Sequence, residues 1–254
     1  MNDLNLMGQL SNCLVKGRFE VCVQYRDSGE KKKLGVPELI RLSLKDKVPP
    51  PKVSEKALDK AMEESIEKYV NGEFTLPGLL VRAKSTAKAR EVLSEYADDS
   101  LPLTKGKAVL ATLEGEDYSH WQKFAGIILK GLGYKTVNLG SGVSAKEVVE
   151  SVKKARPDIL GITAPSTSVI PEFNVMSSMS SKVKIKKLID ILSEEDCREN
   201  ITILIGGSVP VVHSAADVGA DYCCKNLLQT IKLMEKLASS SKKVPSGAFA
   251  ANLV

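Results

Sequence analysis

Two stretches in the first hundred residues have the apolar spacing of helices. Between residues 53 and 70, apolar residues recur every three to four positions, which predicts an amphipathic helix that ends at a turn at Asn71 and Gly72. A second helix is predicted from about Pro77, because proline suits a first helical turn and an apolar stripe follows it. The first part of the chain is therefore expected to be helical.

The segment before these helices is less regular. Ser54 is a suitable N-cap for the first helix, and the three prolines at 49–51 predict a linker before it. Residues 1–52 otherwise predict only a short helix near residues 4–16. We therefore expect a helical domain over residues 1–97, with an irregular leader.

After residue 98 the pattern changes to short apolar runs that alternate with amphipathic stretches. The apolar runs predict strands near residues 107–113, 134–139, 158–163, 201–205 and 220–224. The amphipathic stretches predict helices near residues 119–132, 144–155, 171–193, 209–217 and 226–239. Five strands that alternate with helices indicate an α/β fold with a five-stranded, parallel, doubly wound sheet of the Rossmann or flavodoxin type, here over residues 98–254.

Composition and charge exclude several classes of protein. The chain has 254 residues, of which 43% are hydrophobic and 26% charged, and this is typical of a globular domain. No apolar run approaches the roughly 20 residues that cross a bilayer, and the start lacks a signal-peptide pattern, so we expect a cytoplasmic protein without a membrane partner. The net charge of +5 is modest and only 5% of residues are aromatic, which argues against binding to nucleic acid. Five cysteines without Cys-x-x-Cys spacing predict reduced thiols.

The loop after the first predicted strand carries the most informative motif. Ligands of open parallel sheets bind beyond the carboxyl ends of the strands, so these loops are where a site is expected. Residues 116–121 align with the Asp-x-His-x-x-Gly motif of the cobalamin-binding domains of corrinoid methyl carriers and of methionine synthase. The chain resembles this family, in which the histidine replaces the cofactor's own base beneath cobalt. Here Tyr118 stands in place of that histidine, and Trp121 in place of the glycine.

Other segments carry the same resemblance in the same order. Residues 158–167 resemble the family's Ser-x-Leu segment followed by threonine, and residues 203–208 resemble its Gly-Gly turn. In the helical part, residues 71–80 resemble the Gly-x-x-Phe-Leu-Pro-x-Leu segment of the family's cap domain. The resemblance covers about residues 54–239. It implies a cobalamin-binding domain preceded by a helical cap domain.

The resemblance also implies how cobalamin would be held. In the base-off form the nucleotide tail is detached from cobalt and enters a slot between the sheet and its helices. Glycines permit close approach of the backbone, and threonine or serine hydroxyls could bond the tail. The residues expected at the cofactor are Gly115, Glu116, Asp117, Tyr118, Ser119, His120, Thr163, Pro165, Thr167, Gly206, Gly207, Ser208, Cys224, Leu76 and Leu79. For Leu76, Leu79 and Cys224, ordinary core packing remains the alternative.

No residue of the chain is predicted to be a strong metal ligand, since the cobalt is held in the corrin. The phenol of Tyr118 has a reference pKa of about 10, so we expect it to pack beneath the corrin or to bond a cobalt-bound water. His120 falls near the start of the following helix, where a solvent or capping role is favoured over ligation. Tyr118 or His120 would be at most a weak lower ligand. Glu116 and Asp117 are expected to bond corrin amides or to lie at the helix N-terminus.

Three functions are compatible with the sequence. The leading one is a corrinoid methyl-group carrier that serves methyltransferase and corrinoid-activating proteins, because no residue forms a nucleophile-base pair for independent catalysis. The second is a non-catalytic cobalamin carrier or sensor, which the missing histidine favours. The third is a flavodoxin-like module that binds no corrinoid.

Overall fold

The computed structural model describes residues 3–18, 20–24, 31–97, 103–114, 120–163, 171–206 and 215–239. The chain divides into two compact units. Met1–Lys105 together with Lys130–Gly133 form the first, and Gly106–Leu129 together with Tyr134–Val254 form the second. We call them the helical unit and the sheet unit. The domain boundary at residue 97 stays a prediction from the sequence.

The helical unit consists of helices and one antiparallel strand pair. Its elements are α1 (Asp3–Val15), β1 (Glu20–Gln24), β2 (Lys31–Gly35), α2 (Val36–Lys45), α3 (Pro50–Val53), a π-helical stretch (Ser54–Asp59), α4 (Lys60–Val70) and α5 (Leu76–Ser94). Helix α1 matches the short helix predicted near residues 4–16. Strands β1 and β2 pair antiparallel, and they lie with α2 in the segment where the sequence indicated little regular structure.

The start of the helix predicted over residues 53–70 differs from the expectation. Ser54 was expected to be its N-cap, but Pro49 holds that position in extended conformation, and Pro50 is the first helical residue. Ser54 is helical and continues into the π-helical stretch. A proline suits the first turn because its missing N–H would have no helical partner there. The prolines therefore begin a helix instead of forming a linker.

A network of charged side chains holds the π-helical stretch within the helical unit. The Arg90 guanidinium donates hydrogen bonds to the Ser54 hydroxyl at 2.9 Å and to the Gly131 carbonyl oxygen at 2.9 Å. It also forms an ion pair with Asp59, and the Lys105 ammonium lies 3.1 Å from the other oxygen of the same carboxylate. The Arg90 and Asp59 side chains are only 10% and 16% exposed, so water screens this pair weakly.

The sheet unit contains a parallel five-stranded sheet. Its elements are β3 (Gly106–Thr112), α6 (His120–Leu132), β4 (Tyr134–Asn138), α7 (Ala145–Ala155), β5 (Ile159–Thr163), α8 (Pro171–Glu194), β6 (Thr202–Gly206), a short 3-10 helix (Ala215–Val218), β7 (Tyr222–Cys224) and α9 (Leu227–Ser239). The strand order is β4-β3-β5-β6-β7, and each adjacent pair is parallel. This order is that of flavodoxin-like folds, so the predicted fold class is confirmed. Of the helix predicted at 209–217, only the residues from 215 are described, and they form the 3-10 helix.

Alternate residues of the strands point to opposite faces of the sheet. Val109, Leu160 and Ile203 are fully buried and pack with α7 and α8. The intervening residues Leu110 and Gly161 face a cavity that α6 and α9 also line. This alternation is what a sheet covered by helices on both faces requires.

Leu110 is tightly enclosed on the face that α6 covers. A Cβ atom at Gly161, on the neighbouring strand, would lie 2.5 Å from its Cδ2, and a Cβ atom at Gly126, on α6, would lie 3.3 Å from its Cδ1. Gly161 is therefore a steric requirement of the fold. The leucine fills the space that a side chain at this position would need.

We expect Gly161→Ala to lower the free energy of unfolding by about 1 to 3 kcal/mol, because the new methyl group overpacks the site against Leu110. Gly206→Ala is the matched control: it lies in the neighbouring strand, and its Cβ would meet only the Thr230 hydroxyl at 3.7 Å. Urea unfolding of the two variants measures both values. Equal stability of the two would contradict the steric role of Gly161.

Candidate functional site

The ends of four strands form a row across the carboxyl edge of the sheet. Thr112 pairs with Thr163, Thr163 with Gly206, and Gly206 with Cys224. Neighbouring members of the row are thus about 4.8 Å apart. The row begins where strand order reverses, between β3 and β5, which is where doubly wound folds bind ligands. Thr163, Gly206 and Cys224 are three of the residues expected from the sequence, and the structure brings them together.

A narrow cavity lies on one side of this row, within the sheet unit. Sheet residues, α6 and α9 enclose it. Its lining residues are Leu110, Trp121, Gln122, Ala125, Gly161, Ile162, Thr163, Leu204, Gly206, Thr230 and Met234. The cavity volume is about 20 Å³, which is room for about one water molecule. The walls are largely apolar, and threonine hydroxyls supply two polar groups.

Gly206 leaves the carboxyl end of β6 open. A Cβ atom there would make only one contact, at 3.7 Å from the Thr230 hydroxyl, which is an ordinary van der Waals distance. Its backbone is also not in the left-handed region that favours glycine. Neither crowding nor conformation therefore requires a glycine at this place. Its absent side chain leaves space open next to the sheet.

Gln122 fixes the first turn of α6 against β3. Its side-chain amide donates a hydrogen bond to the Leu110 carbonyl oxygen at 2.8 Å, and its oxygen accepts one from the Thr112 hydroxyl at 3.1 Å. Gln122 is 2% exposed and Thr112 is fully buried. Each of these buried polar side chains therefore has a hydrogen-bond partner. The bonds fix the orientation of α6 beside the cavity.

Cys224 and Thr230 form the far end of the site. Burial raises the pKa of the Cys224 thiol to about 12, although a hydrogen bond with Thr230 opposes this shift. The Thr230 hydroxyl donates to the Asn226 carbonyl oxygen at 3.1 Å. Cys224 is thus a buried, neutral thiol at physiological pH, and it lies beside Gly206 at the end of the row without lining the cavity.

Trp121 is the residue of the divergent loop motif that the structure places in the cavity. It is half-buried in the first turn of α6 and lines the cavity opposite the sheet. His120, one residue earlier, is exposed, and its ring centroid lies 6.4 Å from that of Phe124. This position agrees with the solvent role favoured for the histidine from the sequence.

The remaining expected residues divide into two groups. Leu79 is fully buried, whereas Leu76 is partly exposed at the start of α5. Gly115, Glu116, Asp117, Tyr118, Ser119, Pro165, Thr167, Gly207 and Ser208 lie outside the described residues. Of the residues that the structure describes, no group of three or more His, Cys, Asp or Glu side chains could hold a metal ion. Nor is any helix in the described ranges long and apolar enough to span a membrane.

Sequence reasoning missed part of this site. Thr112, Gln122 and Thr230 were not expected to contribute, and Trp121 was noted only as a departure from the family motif. Position was the signal available in the sequence, because a strand end and the first turn of the helix after it face the site. The contribution of α9 through Thr230 and Met234 had no local signal, because it depends on packing between distant segments.

Known relatives of the chain are corrinoid proteins. Dimethylamine corrinoid protein 1 of Methanosarcina acetivorans is 26% identical over 76% of this chain and 85% of the relative. Trimethylamine corrinoid protein 2 of Methanosarcina mazei is 29% identical over 68% of this chain and 75% of the relative. No protein-family model matches the chain. The two relatives confirm the resemblance to corrinoid proteins that the sequence motifs indicated.

Solved structures confirm the fold. A cobalamin-binding protein from Desulfitobacterium hafniense matches with a TM-score of 0.62 and 20% identity, over 91% of this chain and 98% of that one. The methanol:cobalamin methyltransferase complex MtaBC from Methanosarcina barkeri matches with a TM-score of 0.68 and 21% identity, over 93% of this chain and 81% of that one. A helical segment followed by a parallel five-stranded sheet is therefore a known arrangement.

We expect Gln122→Leu to lower the free energy of unfolding by about 1 to 3 kcal/mol, since it leaves the buried Leu110 carbonyl and Thr112 hydroxyl without this partner. Gln122→Glu should behave differently with pH. Burial and the bond that a protonated carboxyl can donate to Leu110 raise the folded-state pKa of this glutamate above its unfolded value of about 4.3. Its stability is therefore retained at pH 4 and lost as the pH rises toward 7.

Urea unfolding of wild type and both variants at pH 4 and pH 7 tests this difference. The deficit of Gln122→Glu relative to wild type should grow with pH, and that of Gln122→Leu should stay constant. If both deficits change in parallel, the amide does not bond the strand as described.

Proposed function

We propose that the chain binds cobalamin in the base-off form and acts as a corrinoid methyl-group carrier for partner methyltransferases. The observation that carries the proposal is the cavity at the carboxyl edge of the sheet, with an open glycine at one strand end and threonine hydroxyls beside it. In this proposal, the nucleotide tail of cobalamin lies in this cavity. Similarity to dimethylamine and trimethylamine corrinoid proteins supports the choice of ligand.

The walls of the cavity suit the tail in chemistry but are too close together. Leu110, Ala125 and Met234 offer apolar surface to a flat aromatic base, and the hydroxyls of Thr163 and Thr230 can bond its polar edge. The volume of about 20 Å³, in contrast, is far below that of a fused bicyclic ring. Entry of the tail therefore requires a wall to move.

Residues outside the described ranges complete the proposed site. Gly207 and Ser208 follow Gly206 directly in the sequence, and Pro165 and Thr167 follow Thr163 by two and four positions, so these residues are assigned to the tail. Gly115, Glu116, Asp117, Tyr118 and Ser119 lie between β3 and α6 and are assigned to the lower face of the corrin. Leu76 and Leu79 are assigned to the cap.

The role of the chain in methyl transfer is to hold and orient the cofactor. Bound cobalamin supplies a cobalt centre that accepts a methyl group from one partner protein and passes it to another. The side chains described at the cavity are apolar residues, threonines and a glutamine, which can position a ligand but do not transfer groups themselves. Methyltransferase and corrinoid-activating proteins are therefore the proposed partners, in the cytoplasm.

A second candidate is a cobalamin carrier or sensor without methyl transfer. Tyr118 in place of the family's histidine favours it, because a neutral phenol is a poor lower ligand. Methyl-transfer assays with cognate methyltransferases separate the two candidates: a carrier turns over, whereas a sensor binds cobalamin and does not.

We expect the purified protein to bind cobalamin and to shift its absorbance spectrum to that of the base-off form. Gly206→Ala should weaken this binding by about tenfold, because its methyl group projects into the cavity, while the fold tolerates it. Gly8→Ala, on α1 with nothing within 4 Å of its Cβ, is the control and should leave affinity unchanged. Equilibrium dialysis measures all three proteins. Undiminished affinity of Gly206→Ala would contradict the placement of the tail.

We further expect the bound cofactor to lack a histidine ligand. Electron paramagnetic resonance of the Co(II) form should show no nitrogen coupling from a protein imidazole, since Tyr118 stands at the ligand position and His120 is exposed at the start of α6. Nitrogen coupling that disappears in His120→Ala would show that this histidine takes over as ligand. Lys123→Ala, on the same helix, is the matched control.

A further inference from the structure

Trp121 lines the cavity in which the tail of cobalamin is proposed to lie. It is the only tryptophan of the chain, and it stands where the family motif has glycine. The buried bonds of the next residue, Gln122, fix the turn of α6 that carries it. The ring is therefore held beside Thr163 and Gly206, in the wall of the cavity opposite the sheet.

The size of this ring conflicts with the size of the tail. An indole and a dimethylbenzimidazole are both fused bicyclic aromatic rings, and with the indole in place the cavity has a volume of only about 20 Å³. Protein interiors are close-packed, so two such rings cannot share this space. The other large apolar residues of the wall, Leu110, Ile162, Leu204 and Met234, are almost fully buried. Trp121 is only half-buried, which makes it the wall residue with the most freedom to turn outward.

We propose that Trp121 determines which corrinoids this protein accepts: it disfavours corrinoids with a bulky tail base relative to corrinoids without a tail. This inference rests on the proposed function. A tail can enter only when the indole leaves its place in the wall and loses its contacts there. A corrinoid without a nucleotide tail leaves the indole where it is. The effect of Trp121 therefore appears only for tailed corrinoids.

Removal of the ring should change the affinity for only one of two corrinoid probes. We expect Trp121→Gly to tighten binding of cobalamin by about tenfold or more, and to leave the dissociation constant of dicyanocobinamide, which has no nucleotide tail, unchanged. Trp121→Phe, with a single ring, should give an intermediate cobalamin affinity. Trp121→Ala is a second variant without the ring. Alanine is a better helix former than glycine, so this variant retains the first turn of α6 if glycine disrupts it.

Phe124→Ala is the matched control, because it removes an aromatic ring from the same helix that does not line the cavity. We expect it to leave the ratio of the two affinities unchanged. Equilibrium dialysis with detection of corrinoid absorbance measures the affinities, and circular dichroism verifies the fold of each variant.

The outcomes separate this inference from the proposed function. If wild type and the Trp121 variants bind both corrinoids, but the ratio of affinities does not change, Trp121 does not select against the tail and only this inference fails. The same holds if Trp121→Gly strengthens both probes equally. If no protein binds either corrinoid, the proposed function fails, and the inference falls with it. Tighter cobalamin binding with unchanged cobinamide binding supports both.

Discussion

The candidate site depends on the two buried hydrogen bonds of Gln122. The side-chain amide of this residue joins the first turn of α6 to both the backbone and the Thr112 side chain of β3. Removal of a buried polar group from water stabilises a fold only when it finds such partners, so the arrangement permits one orientation of the turn. Trp121 precedes Gln122 and Ala125 follows it by about one turn, and both line the cavity. The shape of the site follows from this attachment.

Two glycines on neighbouring strands differ in whether the fold requires them. Gly161 is required by the protein itself, because the Leu110 side chain fills the space of its missing Cβ. Gly206 is required by neither packing nor backbone conformation. A glycine that neither packing nor backbone conformation requires, at the carboxyl end of a strand and beside a cavity, supports the proposal that a ligand approaches the backbone here.

The divergent motif changes two residues of one short segment, and these two positions have separate roles in the resembled family. In the resembled family, the turn between the first strand and its helix supplies both the lower ligand of cobalt and a small residue. This chain has Tyr118 and Trp121 at those two places. The similarity to corrinoid proteins extends well beyond this turn, over 76% of the chain for one relative.

The sequence by itself determined the sheet, because short continuous apolar runs and the amphipathic stretches between them are local patterns, and strands such as Ile159–Thr163 lie where they were predicted. It also indicated Thr163, Gly206 and Cys224 as candidate site residues, because the carboxyl ends of the strands mark the ligand side of a parallel sheet. It missed the β1–β2 hairpin and mistook Ser54 for an N-cap, although Pro50 suits a first helical position. Only the tertiary structure decided that Gln122 bonds to β3, that Thr230 closes the site and that Trp121 narrows it. These contacts join different strands and helices, which are ten or more residues apart in the chain, and no local pattern encodes which of their side chains come into contact.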